Sequence, residues 1–212
     1  KESVQYHLES DVDIASLLSG GIDSSLVTAI AAKDEKFKSA YTIRFKNASN
    51  LYDESLISRE VAEQYKLDFN VVTPNENLET ILRDSIKAFD EPFADDSVIP
   101  SYTVCKAVSK DYKVAFSGLG GDELFGGYYR YSGLLISTYF DRFPKLLRNS
   151  IKWVSNKCYR ANPGIRTFEH AKRFCEASEL GLADRYLSYV TSIDADRRLS
   201  LYSNLVKKEV NI

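Results

Sequence analysis

The segment Leu17–Ser25, with the sequence LLSGGIDSS, constrains the fold of this chain more than any other. An apolar run typical of a buried strand, Val12–Leu18, leads into it, and a helical pattern, Ser24–Lys33, follows it. The two glycines allow a tight turn with positive φ and close approach of another group to the backbone. The pattern therefore predicts a strand, a tight turn and a helix in direct succession.

The side chains of this turn indicate what it binds. The N–H groups of a glycine turn and of a helix N-terminus together form a cradle for phosphate oxygens. Because a carboxylate does not favour a polyanion, we expect Asp23 to hold Mg²⁺ that bridges to the phosphates. No lysine follows the glycines, which excludes the pattern GxxxxGK[ST]. The order SGGxDS is similar to the PP-loop of enzymes that split ATP between its α and β phosphates. The alternative is a Ser/Asp turn that only caps a helix.

A second segment repeats this arrangement about a hundred residues later in the sequence. Val114–Tyr128, VAFSGLGGDELFGGY, is another apolar strand that leads into a glycine-rich turn with acids at a helix start. If the two strands are parallel neighbours, Asp23 and Asp122 lie at the same sheet edge. Two carboxylates there suit one Mg-pyrophosphate group, whereas a tight turn beside an aromatic loop explains neither the paired glycines nor the acids.

Strand and helix patterns alternate through the first part of the chain. Such alternation predicts right-handed crossovers and an α/β fold with a doubly wound parallel sheet. We expect this ATP-binding domain to span residues 1–131. The strands are predicted at Val12–Leu18, Ser39–Phe45, Leu67–Thr73 and Tyr112–Ser117, and the helices at Ser24–Lys33, Glu54–Lys66, Asn75–Phe89 and Ser97–Lys110. Inward faces are expected at Leu26, Val27, Ile30 and Ala31, at Ile57, Val61 and Tyr65, and at Leu78, Ile81, Leu82, Ile86 and Phe89.

The remaining part, residues 132–212, has only helical patterns and is expected to be a helical extension. Its short helices are predicted at Leu134–Phe140, Leu146–Val154, Thr167–Ser178 and Leu182–Ser192. Basic and aromatic side chains alternate in it. That mixture occurs in nucleic-acid-binding surfaces, but it is more typical of amphipathic helices whose long basic side chains lie over apolar surface.

Composition narrows the class of protein further. The net charge is −2, which argues against nucleic acid as the main partner. No apolar stretch is long enough for a membrane span, and no signal peptide opens the chain, so we expect a cytoplasmic protein. Three cysteines without metal-ligand spacing favour reduced thiols over zinc or disulfides. A start at Lys1, with no methionine anywhere, suggests that the natural chain is longer.

The paired turns resemble the synthetase domain of the asparagine synthetase family. SGGIDSS and SGLGGDELFGGYYRY carry the resemblance, together with Asp90–Asp95 (DEPFAD) and Ile99-Pro100. It implies a PP-loop fold, ATP and Mg²⁺ as cofactors, and adenylation of the side-chain carboxylate of aspartate, with ammonia from glutamine then forming the amide. It further implies a glutaminase domain in the full-length chain and a possible homodimer.

The predicted site residues have these roles. Ser19, Gly20, Gly21, Ser24 and Ser25 would hold pyrophosphate, and Asp23 and Asp122 would bind Mg²⁺. By resemblance, the backbone around Leu17–Ser19, with Leu18 at its centre, and Ile43 would frame adenine, while Ser117 and Gly118 would lie against the ribose and phosphates. Glu123 either stabilises the helix dipole or takes part in catalysis. Arg130 either contacts substrate or packs. The acids Asp90, Glu91, Asp95 and Asp96 are expected to shape their loop or cap a helix rather than bind metal.

Departures from the family pattern leave two alternatives open. Leu119 stands between the glycine pairs, where many members have an acid, and Arg44 stands where a glycine is usual. The family's segment ExRxPFxD and its accompanying lysine are not found, so we expect a partial synthetase domain. The alternatives are an amidotransferase for another carboxylate, in polysaccharide or natural-product pathways, and a nucleotide-binding module without catalysis.

Overall fold

The structure is a computed structural model of the 212-residue chain. It describes residues 1–45, 54–75, 77–91, 95, 97–162, 164–191, 193 and 195–209. Two compact units are present, Lys1–Leu124 and Phe125–Ile212. A division into domains at residue 131 stays a prediction, because compact units of one chain are not by themselves domains. Pro92, Phe93, Ala94 and Asp96 of the acidic loop lie outside the described residues.

The first unit is built on a four-stranded parallel sheet, as the strand pattern predicts. Its strands are β1 (Ile14–Leu17), β2 (Phe37–Ile43), β3 (Asp68–Val72) and β4 (Val114–Ser117), in the order β3-β2-β1-β4. Leu17 at the end of β1 pairs with Tyr41 on one side and with Ser117 on the other. The strand order reverses direction at β1, and a crevice for ligands forms at the carboxyl ends beside such a point.

Helices follow each strand. In the first unit they are α1 (Glu2–Tyr6), α2 (Ile22–Ala31), α3 (Ser55–Gln64), α4 (Leu78–Phe89), α5 (Val98–Val108) and α6 (Gly121–Phe125). Consecutive residues of β1 face opposite sides of the sheet. Ile14 packs with Phe37 and Ala62 in one apolar cluster, and Ala15 packs with Val104 in another. Both faces of the sheet are therefore covered, which confirms the doubly wound α/β architecture.

The predicted inward faces of three helices are only partly right: Ala31 and Ile81 are buried and Val61 and Tyr65 pack against the core, but other predicted residues are exposed. In α2 the buried residues are Ser24, Thr28 and Ala31, whereas Leu26 is exposed. The cause is a buried polar pair, since the hydroxyls of Thr28 and Ser16 of β1 lie 2.7 Å apart. Small side chains let a helix lie close to the sheet, and the apolar residues then fall on another face. The same holds for α3 and α4, where Ser55, Ser58, Ala62, Ile81 and Ser85 are buried and Ile57, Leu78, Leu82, Ile86 and Phe89 are exposed.

The second unit is helical, as predicted. Its helices are α7 (Tyr129–Phe140), α8 (Lys145–Ala161), α9 (Arg166–Ala177), α10 (Leu182–Val190), α11 (Ala195–Leu201) and α12 (Asn204–Glu209). Arg185 of α10, only 4% exposed, donates two hydrogen bonds to the carboxylate of Asp141, at 2.9 and 3.2 Å. It also donates to three backbone carbonyls, of Ala177, Ser178 and Leu180. This side chain joins α10 to the ends of α7 and α9.

Basic side chains of this unit lie over aromatic rings of the same unit. The Lys172 ammonium is 4.7 Å from the ring centroid of Tyr159, and Lys157 is 5.1 Å from that of Trp153. Such contacts are typical of amphipathic helices. Among the described residues, no helix combines the length and the apolar character that crossing a membrane demands.

Candidate functional site

The first glycine turn is held tightly between β1 and α3. The backbone N–H of Leu18 donates to the carbonyl of Tyr41 at 2.8 Å, which extends the sheet by one residue. Gly20 has a φ of +81°, a conformation that favours glycine. A Cβ at Gly20 would lie 2.9 Å from the backbone oxygen of Glu54 and 3.2 Å from Oγ of Ser58. The turn therefore requires glycine at position 20 for two reasons, its φ and its close contact with α3.

Serine hydroxyls connect this turn to the start of α2. The N–H of Ser19 donates to Oγ of Ser24 at 3.3 Å, and the two hydroxyl oxygens lie 3.0 Å apart. Oγ of Ser24 in turn donates to the carbonyl of Gly21 at 3.2 Å. No side chain caps α2 at its N-cap residue, Gly21. The first N–H groups of this helix are thus left for another acceptor, as an anion-binding helix start requires.

The second glycine turn follows β4 directly. Gly120 has a φ of +92°, and the N–H of Gly121 donates to the carbonyl of Gly118 at 3.2 Å. Oγ of Ser117 accepts a hydrogen bond from the N–H of Leu119 at 3.1 Å. The side chain of Leu119 in this turn is 92% exposed to solvent.

The two turns are in direct contact. A Cβ at Gly118 would lie 2.6 Å from the backbone nitrogen of Ser24 and 3.0 Å from the carbonyl carbon of Asp23. A Cβ at Gly121 would lie 2.6 Å from Oδ2 of Asp23. Only glycine permits these approaches, because real Cβ atoms essentially never come within 3.0 Å of such neighbours. Glycines of one motif thus pack on the helix start and carboxylate of the other.

The predicted nucleotide residues of the first unit meet at one sheet edge. Leu18 follows β1, Ile43 ends β2 and Ser117 ends β4, so all three lie at the carboxyl ends of adjacent strands. Asp122 and Glu123 lie in the first turn of α6, directly after Gly121. The first unit therefore brings together Leu18, Ser19, Gly20, Gly21, Asp23, Ser24, Ser25, Ile43, Ser117, Gly118, Asp122 and Glu123.

A pair of carboxylates suits magnesium better than metals that need many protein ligands. Within the described part of the chain, no group of three or more His, Cys, Asp or Glu side chains is gathered for a metal ion. Mg²⁺ is usually held by one or two carboxylates, with phosphate oxygens and water as its remaining ligands. Gly121 approaches the carboxylate of Asp23, and Asp122 is the next residue after Gly121. Both residue types suit Mg²⁺, and the pairing of Asp23 with Asp122 around one ion stays a prediction.

Arg130 belongs to the second unit, where aromatic rings surround it. Its guanidinium carbon lies 3.5 Å from the ring centroid of Tyr128 and 5.5 Å from that of Tyr131. Burial would lower the pKa of this guanidinium, but hydrogen bonds with Tyr186, Tyr128 and Tyr131 outweigh that effect and raise the pKa. Nε of Arg130 is buried without a hydrogen-bond partner among the described residues. This packing fits one of its two predicted roles, and substrate contact stays a prediction.

The cysteines are free thiols in helices. Burial raises the pKa of the Cys105 and Cys175 thiols, so fewer of them are thiolates at neutral pH. Cys158 is a third free thiol, in α8.

Sequence patterns missed a buried serine of α3. Oγ of Ser58 donates to the carbonyl of Leu18 at 3.0 Å, directly before the first glycine turn. A serine in a helix adds nothing to the hydrophobic periodicity, and Ser58 belongs to no motif. Its partner is 40 positions away in sequence, so only the fold reveals the contact.

Comparisons with known proteins agree with the paired turns. The family model described as asparagine synthase matches residues 1–207. Asparagine synthetase [glutamine-hydrolyzing] 1 of Bacillus subtilis is 34% identical over 156 residues, which are 73% of this chain and 24% of that protein. Amidase chry2 of Gibberella zeae is 31% identical over 143 residues, 60% of this chain and 21% of that protein.

Among solved structures, a glutamine-dependent NAD+ synthetase from Acinetobacter baumannii, in complex with ADP, covers 89% of this chain and 43% of its own. Its sequence identity with this chain is 15% and its TM-score is 0.38. The chain spans about a quarter of the length of the curated relatives it matches. A family match that extends over almost every residue, added to the two glycine turns in contact, shows that this chain belongs to the asparagine synthase family.

Proposed function

We propose that this chain binds Mg-ATP and adenylates a carboxylate as the first half of amide formation. The observation that carries the proposal is the contact between the two turns, in which Gly118 and Gly121 pack on Ser24 and Asp23. A single ligand that fills this edge of the sheet meets N–H groups, hydroxyls and two carboxylates at once. That donor set suits a nucleoside triphosphate with a divalent cation.

Each predicted residue has a part in this proposal. Ser19, Gly20, Gly21, Ser24 and Ser25 hold the pyrophosphate, and Leu18 and Ile43 frame the adenine. Ser117 and Gly118 lie along the ribose and α-phosphate. Asp23 and Asp122 would hold Mg²⁺, which would neutralise charge on the leaving pyrophosphate. Glu123 and Arg130 are proposed to take part in the reaction.

The reaction proceeds in two steps. The side-chain carboxylate of aspartate attacks the α-phosphorus of ATP, and the bond to the β-phosphate oxygen breaks to release pyrophosphate. Ammonia then attacks the acyl carbon and AMP leaves, so that an amide forms. Positioning of the two reactants supplies much of the rate in such reactions.

The ammonia is proposed to come from glutamine through another domain. Glutamine hydrolysis requires an activated nucleophile such as a thiolate. Cys105, Cys158 and Cys175 all lie within helices, and burial raises the pKa of the Cys105 and Cys175 thiols, so the three are poor candidates. We therefore expect these 212 residues to form little or no asparagine from glutamine by themselves.

A second candidate changes only the acid. Leu119 offers an exposed apolar side chain where many family members carry an acid, and chry2 is named an amidase. An adenylating enzyme for a different, less polar carboxylate fits that substitution.

ATP–pyrophosphate exchange tests the proposal. The assay measures exchange with aspartate and with a panel of other carboxylic acids, and calorimetry measures ATP binding in parallel. Exchange stimulated by aspartate supports the first candidate, and exchange stimulated by another acid supports the second. ATP binding without any exchange would indicate a nucleotide-binding module, and no ATP binding at all would contradict the proposal.

A further inference from the structure

We infer that Ser58 of α3 is a positioning residue for the phosphate-binding turn, an inference that rests on the proposed function. Ser58 is fully buried, at 0% exposure, and it lies under the glycine turn rather than in it. Its hydroxyl is hydrogen-bonded to the backbone carbonyl of Leu18, at the end of β1.

The hydroxyl of Ser58 connects three elements. It lies 3.0 Å from the carbonyl of Leu18 and 3.1 Å from the carbonyl of Glu54, the N-cap residue of its own helix. Oγ1 of Thr42 in β2 lies 3.5 Å away. A helix serine often donates to the carbonyl four residues earlier. The single hydroxyl proton of Ser58 has a second acceptor, the carbonyl of Leu18, at a slightly shorter distance, and Leu18 directly precedes the glycine turn.

The hydrogen bond between Ser58 and Leu18 matters because Leu18 is the last residue before the glycine turn. The pairing of β1 with β4 ends at Leu17 and Ser117, so the carbonyl of Leu18 lies beyond that ladder. The two residues after Leu18 are Ser19 and Gly20, which begin the turn. A hydrogen bond at Leu18 therefore fixes the direction in which the chain enters the turn.

The glycine turn is also in close steric contact with the start of α3. A Cβ at Gly20 would lie 2.9 Å from the Glu54 oxygen and 3.2 Å from Oγ of Ser58, so the turn rests directly on the first turn of α3. The hydrogen bond from Ser58 to Leu18 and the close contact of Gly20 with Glu54 together hold the N–H groups of the turn in one orientation before any ligand binds. Preorganised donors bind an anion without the cost of ordering a loop.

The test compares the phosphate-dependent and phosphate-independent parts of nucleotide affinity. In Ser58→Ala we expect ATP to bind about tenfold more weakly, as the loss of a buried hydrogen bond predicts. Adenosine has no phosphates, so its dissociation constant should change less than about twofold. A purely structural role for Ser58 would lower the melting temperature but leave the ratio of the two affinities unchanged.

Ser85→Ala is the matched control. Ser85 is also a buried helix serine, and its hydroxyl donates only within α4, to the carbonyl of Ile81 at 2.6 Å. This variant should keep the wild-type ratio of adenosine and ATP affinities. If circular dichroism shows that Ser58→Ala is unfolded, Ser58→Cys, with its weaker donor, takes its place and should show the same selective loss.

The outcomes separate this inference from the proposed function. If the wild type binds ATP and the Ser58 and Ser85 variants have the same affinity ratio, the positioning role is refuted and the proposed function stands. If the wild type itself fails to bind ATP, the proposed function fails and this inference fails with it.

Discussion

Replacing Gly118 by alanine should separate the two glycine turns. The new Cβ would lie 2.6 Å from the backbone nitrogen of Ser24, whereas ordinary contacts begin at 3.4 Å. One turn must therefore move by about 3.4 − 2.6 = 0.8 Å relative to the other. The Ser24 nitrogen is a backbone atom and a Cβ is fixed by its own backbone, so no side-chain rotation relieves the clash. Overpacking of this kind costs about 1–3 kcal/mol of unfolding free energy.

Two measurements follow from that displacement. The melting temperature of the Gly118→Ala variant should fall by roughly 3–15 °C. ATP should bind at least about tenfold more weakly, since the Cβ also covers the N–H of Ser24 at the start of α2. Calorimetry is done at a temperature at which circular dichroism shows the variant to be folded.

Gly181→Ala provides the control for this experiment. Gly181 has an ordinary φ of −61°, and a Cβ there would meet nothing within 4 Å. We expect its ATP affinity to equal that of the wild type. Wild-type melting and wild-type ATP affinity in Gly118→Ala would refute the close contact of the two turns.

Three further changes test other parts of the molecule. Gly21→Val should leave the fold intact, because Gly21 has a φ of −68° and a Cβ there would lie 3.4 Å from Oγ of Ser19. The same change should abolish ATP binding measured by calorimetry. Normal ATP binding would mean that the segment is only a turn. Asp23→Ala should weaken Mg-dependent ATP binding at least about tenfold, and equal affinity would count against the metal assignment. Arg185→Met should lower the unfolding free energy in urea by about 3 kcal/mol, because Asp141 and three carbonyls lose their donor. The control is Arg83→Met, because Arg83 is exposed and paired with Glu79. It should change the unfolding free energy by less than about 1 kcal/mol. Equal effects of Arg185→Met and Arg83→Met would contradict the argument from burial.

The sheet could be predicted from the sequence because its signals are local. Apolar runs of strand length are each followed by a turn or helix pattern, and every observed strand lies within two residues of its predicted bounds. The contact between the turns follows from topology, since the carboxyl ends of neighbouring parallel strands meet. For this reason the approach of the second glycine turn to the first could be anticipated from two separate motifs.

Side-chain burial could not be predicted in the same way. Hydrophobic periodicity assumes that apolar residues face the core, but α3 turns Ser55 and Ser58 inward and leaves Ile57 exposed. Arginine is a residue type expected at the surface, yet Arg185 is buried because Asp141, 44 positions away in sequence, pairs with it. Both cases depend on partners that are distant in sequence.

The central position of β1 also affects the order in which the first unit folds. Ile14 pairs with Phe37 of β2 and with Val114 of β4, so these pairings close loops of 37 − 14 = 23 and 114 − 14 = 100 residues. Closing the longer loop costs more chain entropy and is slower. We expect β1, β2 and β3 to associate first and β4 to dock last. During refolding, the capacity to bind nucleotide should therefore return after most of the secondary structure has formed.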